Sequence, residues 1–319
     1  MTAAQPAAES CRLQAPLRRF GKYEMALGAV ARYEAALCGH ASQRRSAGLR
    51  VTDQDQPEEA FGLFPANPVR PPLAIVGGMG PLAGAMAFRR ACQSFQDSRT
   101  VVLYQACSIP DRSTVILGGG VRDPSRCREL SARLADAVRL AVSLTGQAGL
   151  PARCIVACNS AHYFWSLLRE DLRANAPGRP CEAAMLSLVD SSVEALQIHS
   201  CRRALVLATE GARVGGVFAA PFRAAGIAFE EPPPMLERLL MQAIFEGIKS
   251  LDERRAVALG NEFFETVLRT GRDYDCILAG CTEIPLTIDL LRQRGSPAVA
   301  AFLSQVKIVD PLEEALCRA

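Results

Sequence analysis

The chain has 319 residues, 49% of them hydrophobic, and a formal net charge of only +3 at neutral pH. No basic run is interleaved with aromatic residues, so the charge pattern argues against nucleic-acid binding. The apolar stretches stay below the roughly eighteen residues of a membrane span, and we therefore expect a soluble globular protein with small-molecule partners and no membrane association.

Twelve cysteines are scattered along the chain and form no C-x-x-C pair or Cys/His cluster with zinc spacing. The histidines at 40, 162 and 199 are not spaced as ligands either, so we expect no metal site. A reducing cytoplasm is the simplest setting for so many thiols, and the N-terminus lacks the apolar core of a signal peptide. The predicted location is therefore cytoplasmic.

Residues 1–72 differ in composition from the rest and are predicted to be an extension of the main fold. Their apolar side chains recur at three- and four-residue steps, which is typical of one amphipathic helix, at Phe20, Tyr23, Leu27, Val30 and Leu37. The prolines clustered between 65 and 72 indicate a linker. The segment is Arg-rich, but Glu24 and Glu34 argue against a transit peptide, so we favour an added structural or dimer-contact helix.

From Leu73 onward, short apolar runs alternate with helical patterns as far as the C-terminus. The runs are LAIVGG at 73–78, VVLYQA at 101–106, CIVAC at 154–158, AAMLSLV at 183–189, ALVLAT at 204–209, CILAGC at 276–281 and KIVD at 307–310. This alternation is typical of doubly wound parallel α/β sheets with helices on both faces. The predicted fold class is therefore α/β.

The order of these features repeats once. AIVGG is followed about eighty residues later by CIVACNS, and LVLAT is followed about seventy residues later by CILAGCTE. We therefore predict two similar α/β domains, each with a cysteine just past the end of a strand. Ligands bind at the carboxyl ends of parallel strands, so Cys158 and Cys281 are expected to face each other across a cleft between the domains.

For a single cysteine at a strand end, a small buried hydrophobe is the commoner role. Cys158 and Cys281, however, occupy matching points of a duplicated pattern, and polar residues follow each of them. At a strand-to-helix junction, free backbone N–H groups and the helix dipole favour a thiolate. One thiolate and one thiol on opposite faces of a carbon atom have the chemistry to remove a proton and return it with inversion.

Five segments carry a resemblance to a known family: IVGGMGP at 75–81, IPDR at 109–112, ACNSAH at 157–162, LATEG at 207–211 and GCTEIP at 280–285. In order and spacing they resemble the motifs of the aspartate/glutamate racemase family. The resemblance implies an isomerase that racemises an amino acid without PLP or any other cofactor. It also implies two domains related by a pseudo-twofold axis: residues 73–174 plus 295–319, and residues 175–294.

By this resemblance Cys158 and Cys281 form the catalytic pair. The substrate's α-carboxylate and amino group are expected to lie among Asn159, Ser160, Thr209 and Thr282. Ser160 stands where the family usually has threonine; because the hydroxyl is retained, we expect a small effect on affinity. Glu283 and Asp111 either polarise the thiols or cap helices, and the sequence leaves both interpretations open.

Two cations are candidates for binding an acidic side chain. Arg112 matches a position that faces the distal carboxylate in aspartate-specific members, and a guanidinium binds a carboxylate in a bidentate way. Lys249, in FEGIK at 245–249, matches a second family position with the same role. Together they favour an acidic amino acid, with aspartate and glutamate left open because one methylene changes only the pocket depth.

The glycines at 77–80 have a competing interpretation as a phosphate-binding loop. The segment lacks the full dinucleotide fingerprint, and Pro81 removes a backbone donor at the start of the next helix. We instead expect Gly77 and Gly78 to allow a tight turn near the ligand, and Met79 to cap the pocket.

Related reactions of the same superfamily are the alternatives: maleate isomerase, hydantoin racemase or arylmalonate decarboxylase. The decarboxylase type needs only one of the two cysteines, so the presence of both argues against it. A non-catalytic, amino-acid-binding homologue whose extension serves a partner is a further alternative. The resemblance also implies a homodimer, which is the commonest symmetric assembly.

Overall fold

The computed structural model describes residues 23–25, 48–53, 56–146, 151–174 and 185–319. They form a seven-stranded sheet and a four-stranded sheet, each covered by helices. None of the helices in these ranges is both long enough and apolar enough to cross a bilayer. The α/β class predicted from the alternation is confirmed.

The N-terminal part contributes three strands, β1 (Tyr23–Met25), β2 (Gly48–Asp53) and β3 (Gln56–Leu63), which pair antiparallel with one another. β3 also pairs antiparallel with the strand Val101–Gln105 and so extends the first sheet at its edge. The amphipathic helix predicted over residues 20–37 falls largely outside the described residues. At Tyr23–Met25 the helix prediction is wrong, because pairing along an open sheet edge overrides the local periodicity.

The remaining elements of the first unit follow Leu63. In chain order they are β4 (Leu73–Gly77), α1 (Pro81–Phe95), β5 (Val101–Gln105), α2 (Arg112–Leu117), α3 (Pro124–Ser143), β6 (Arg153–Val156), α4 (Trp165–Ala174), β7 (Met185–Leu186) and α5 (Leu188–Ile198). β4 to β7 are parallel and lie in the spatial order β5-β4-β6-β7.

The second unit repeats this plan. Its elements are β8 (Ala204–Ala208), α6 (Glu210–Val214), α7 (Ala219–Ala224), β9 (Phe229–Glu230), α8 (Pro234–Gln242), α9 (Glu253–Arg269), β10 (Cys276–Gly280), α10 (Ile284–Arg294), α11 (Pro297–Gln305), β11 (Lys307–Val309) and α12 (Pro311–Cys317). The four parallel strands lie in the order β9-β8-β10-β11, which matches that of the first unit strand for strand. The predicted duplication is therefore present in the topology.

Two boundaries differ from the predicted division. Residues 295–319 were expected in the first domain, but β11 pairs with β10 in the second sheet, and α11 packs on the core of the second unit. Only one residue separates α11 from β11, so the strand lies beside its own sheet. Conversely, β7 falls within the range predicted for the second domain and pairs with β6 of the first.

The helix that follows the fourth strand of each unit crosses to the other unit. Leu312, Ala315 and Leu316 of α12 lie in the core that surrounds β4, whereas Val189 and Leu196 of α5 lie in the core that surrounds β8. α5 and α12 also contact each other. This exchange holds the two units together.

The central strands are buried along their whole length. Every residue of β4, β5, β8 and β10 is buried, as expected for strands that have helices on both faces. In each unit the second strand pairs with one side of the first strand, and the third strand pairs with the other side. A crevice therefore opens at the carboxyl ends of the first and third strands, where Cys158 and Cys281 are found.

Candidate active site

One cavity lies at the facing strand ends of the two units. The nine residues that were predicted to act in catalysis or substrate binding all line it: Met79, Arg112, Cys158, Asn159, Ser160, Thr209, Lys249, Cys281 and Thr282. Asp111, Ser113 and Glu283 complete the lining. The duplicated motifs therefore converge on one site.

Cys158 lies two residues after the end of β6 and is 8% exposed. Its carbonyl accepts hydrogen bonds from Ala161 N (3.2 Å) and from the ring of His162 (3.0 Å). The other ring nitrogen, Nε2, receives the backbone N–H of Leu188 at 3.0 Å, so Nδ1 carries the proton. Burial lowers the pKa of His162 to about 4, and the neutral ring therefore ties Cys158 to the start of α5.

Cys281 follows β10 directly and is 6% exposed. Its sulfur donates to Glu283 Oε2 over 3.0 Å, and the Thr282 hydroxyl donates to the same oxygen over 3.1 Å. Burial raises the pKa of the Cys281 thiol well above its ordinary value, and the nearby charge of Glu283 raises it further. The charge of Lys249 acts in the opposite direction.

Hydroxyl groups from both units meet at Thr209. Its Oγ1 lies 2.9 Å from Ser160 Oγ, and Ser113 Oγ donates to it over 3.4 Å. The same oxygen caps α6 by accepting the N–H of Ala212 at 3.3 Å. Thr209 therefore joins the start of a helix in the second unit to two hydroxyls of the first.

Asn159 has the least satisfied side chain in the lining. The residue is only 2% exposed, yet neither Oδ1 nor Nδ2 has a hydrogen-bond partner within the protein. Leaving a buried polar group unpaired costs about 1–3 kcal/mol, so this amide favours a ligand that offers both a donor and an acceptor.

Arg112 is also buried, and backbone carbonyls fix its guanidinium. One terminal nitrogen donates to Pro110 O (3.0 Å) and Ile109 O (3.4 Å), and the other donates to Met79 O (2.5 Å). Nε is buried and has no partner. Because a guanidinium has five N–H donors, a pair of them remains for an anion. Asp111, in contrast, accepts the N–H of Thr114 at 2.8 Å and caps α2.

Lys249 follows a π-helical segment, Ala243–Ile248, that continues α8. A π-turn shifts the direction of the following residue and is frequent at functional sites. The Lys249 ammonium lies 4.2 Å from the ring centre of Phe245, a cation–π distance, and the residue lines the cavity. The cavity therefore has two cations beside its two thiols.

The model of the Asp/Glu/Hydantoin racemase family matches residues 76–319. The chain belongs to this family.

Solved members of the racemase fold cover the same part of the chain. Aspartate racemase of Picrophilus torridus is 19% identical, with a TM-score of 0.55, and the match covers 77% of this chain and 92% of that one. A Yersinia pestis protein described as an Asp/Glu racemase candidate has 17% identity, a TM-score of 0.55 and coverages of 78% and 97%. An aspartate racemase homologue of Pyrococcus horikoshii has 18% identity, a TM-score of 0.51 and coverages of 78% and 97%. These likenesses confirm the predicted fold.

Sequence reasoning missed two contributors to this racemase-family site. Ser113 stands one residue after the IPDR motif, and only the contact of α2 with α6 reveals its place. His162 lies inside a motif that the sequence identified, but its two hydrogen bonds depend on Leu188, which is distant in sequence. Among the described residues, no group of three or more His, Cys, Asp or Glu side chains has a metal-binding arrangement.

Proposed function

We propose that the protein racemises an acidic amino acid, with aspartate favoured and glutamate as the alternative, by proton transfer between Cys158 and Cys281 and without a cofactor. The observation that carries this proposal is that the two thiols follow equivalent strands of the two units and line one cavity. A two-base inversion needs an acid and a base on opposite faces of one carbon.

The reaction conserves protons and needs no redox partner. The thiolate of one cysteine removes the α-proton and becomes a thiol, and the electron pair stays on the substrate as a carbanion. The thiol of the other cysteine then donates its proton to the opposite face and becomes a thiolate. For the mirror-image substrate the two cysteines exchange roles.

The unsatisfied groups of the cavity match the polar groups of a dicarboxylic amino acid. The amide of Asn159 has a free acceptor for an ammonium group and a free donor for a carboxylate. The hydroxyl groups of Ser160, Thr209 and Thr282 add further polar contacts beside the cysteines. The unpartnered Nε of Arg112, with the Lys249 ammonium, supports recognition of the second carboxylate.

These two cations also separate the candidate reactions. A hydantoin carries no free carboxylate, so it would leave the buried guanidinium of Arg112 without a counter-charge. Maleate has two carboxylates but no ammonium group for the Asn159 oxygen. A binding protein without activity has no need for two thiols at equivalent places. An acidic amino acid therefore offers partners to more of the charged and polar groups of the cavity than the alternative ligands do.

Exchange of the α-proton in deuterated water tests this function. Each enantiomer of aspartate and glutamate is incubated with the protein and a reducing agent, without PLP, and deuterium and chirality are followed together. We expect deuterium incorporation with conversion to the mirror form. Substitution of Cys158→Ser or Cys281→Ser should reduce racemisation by at least about a thousandfold, because serine is a far weaker acid. Binding of aspartate without any exchange would contradict catalysis.

A further inference from the structure

The carboxylate of Glu283 contacts only one of the two cysteines. Cys281 Sγ and Thr282 Oγ1 both donate to Glu283 Oε2, at 3.0 and 3.1 Å, and Glu283 is only 2% exposed. In the first of these bonds the Cys281 thiol is the donor and the Glu283 side-chain oxygen is the acceptor, so the proton of this pair lies on sulfur.

Glu283 does not serve as a helix cap. Although it stands at the N-cap position of α10, its side chain accepts no backbone N–H there. Its second oxygen, Oε1, is buried without a partner and lies against Gly80 of the first unit, where a Cβ atom would collide with it. The carboxylate is thus directed at Cys281 and enclosed between the two units.

Cys158 has a different environment. In the part of the chain that the structure describes, no carboxylate is hydrogen-bonded to the Cys158 sulfur. Asp111, the other carboxylate in the lining, is turned towards the N-terminus of α2. The cations Arg112 and Lys249 face the cavity that the two cysteines share. The two equivalent cysteines therefore have unequal electrostatic surroundings.

We propose that Glu283 is a positioning residue that keeps the proton on Cys281, so that the free protein holds Cys281 as the acid and Cys158 as the base. This inference rests on the two-cysteine function proposed above. It is supported by the raised pKa of the Cys281 thiol, to which burial and the charge of Glu283 both contribute while Lys249 opposes them. The enantiomer whose α-hydrogen faces Cys158 then reacts directly with the resting protein.

The test is the pH dependence of alkylation at each cysteine. The full-length protein, without substrate, is treated with iodoacetamide across a pH series, and the peptides that contain Cys158 and Cys281 are quantified by mass spectrometry. In the wild-type protein we expect Cys158 to react at lower pH than Cys281. In Glu283→Gln the curve for Cys281 should move about one pH unit down, which raises its alkylation rate about three- to tenfold at pH 8.

Asp111→Asn is the matched control, because it removes a carboxylate from the same cavity and retains an acceptor for the α2 cap. Its Cys281 curve should coincide with that of the wild type. A Cys281 curve that is unchanged in Glu283→Gln would overturn the inference. Alkylation of Cys281 before Cys158 in the wild type would overturn it without any variant. Since alkylation needs no turnover, a missing α-proton exchange would refute the racemase function separately.

Discussion

Ser160 and Thr209 belong to different units, yet their hydroxyl oxygens lie 2.9 Å apart inside the cavity. Each follows a central strand of its own sheet, and the contact closes the site between the two sheets. Because Thr209 Oγ1 accepts the N–H of Ala212 and the hydroxyl of Ser113, its own proton is directed at Ser160 Oγ. The residue therefore links the start of α6 to the hydroxyl groups of the candidate site.

Replacement of Thr209 by valine should affect stability and binding together. Loss of the helix cap is expected to lower the free energy of unfolding by about 1 kcal/mol, measured by urea denaturation. Loss of the hydroxyl should raise the KM for aspartate about tenfold, the usual effect of one hydrogen bond to a charged group. Thr209→Ser keeps the oxygen and should restore both values. Equal kinetics for the valine and serine variants would refute a binding role.

Gly211 allows the two units to approach closely. A Cβ atom there would lie 2.5 Å from Ser113 Cα and 2.6 Å from Ser113 Oγ, so Gly211→Ala must push α2 away from α6. We expect a loss of about 1–3 kcal/mol in stability and a clear loss of kcat/KM. Gly216→Ala is the control. Gly216 has a φ of 66° with open space around it, so that variant should lose about 1 kcal/mol of stability and retain kcat/KM.

Arg112→Lys tests recognition of the distal carboxylate. Lysine keeps the charge, but it cannot donate to three carbonyls and present a further pair of N–H groups to the ligand. The expected loss of about 1.5–3 kcal/mol corresponds to at least a tenfold weaker affinity for aspartate by calorimetry. Arg133→Lys, on the exposed surface of α3, should bind like the wild type. An unchanged affinity in Arg112→Lys would remove Arg112 from the binding site.

The parts of the fold that the sequence predicts well are those set by local patterns. Five-residue apolar runs such as those at β4 and β10, which alternate with helical patterns, favour strands buried on both faces, and their repeated order predicts the repeated topology. The convergence of Cys158 and Cys281 on one cavity follows from the same repeat. The sequence alone therefore predicts that Cys158 and Cys281 face each other across one cavity.

The parts that the sequence did not predict depend on contacts between distant segments. The strand at Tyr23–Met25 results from pairing with β2, and nothing in its own periodicity indicates a sheet edge. The π-helical turn before Lys249 and the direction of the Glu283 carboxylate also arise from packing between elements. The sequence therefore left Glu283 with two possible roles, and the hydrogen bond from Cys281 separates them.

His162 makes the stability of the protein depend on pH. In the folded chain its pKa is lowered from 6.5 to about 4 by burial, so the unfolded chain binds the proton more tightly. The neutral ring contributes about 3 kcal/mol to the free energy of unfolding. This contribution is complete above pH 6.5 and is lost as the pH falls towards 4. The main physical cause is that burial disfavours the charged ring, and a protonated Nε2 also can no longer accept the N–H of Leu188.

Urea denaturation of the wild type and His162→Gln between pH 7.5 and 4 measures this contribution, since other titrating groups cancel in the difference. The variant should be less stable at pH 7.5, and the gap should narrow as the pH falls. The alkylation rate of Cys158 should also change in the variant, because the ring fixes the carbonyl of Cys158. A constant difference in stability across the pH range would mean that the ring is not held neutral by burial.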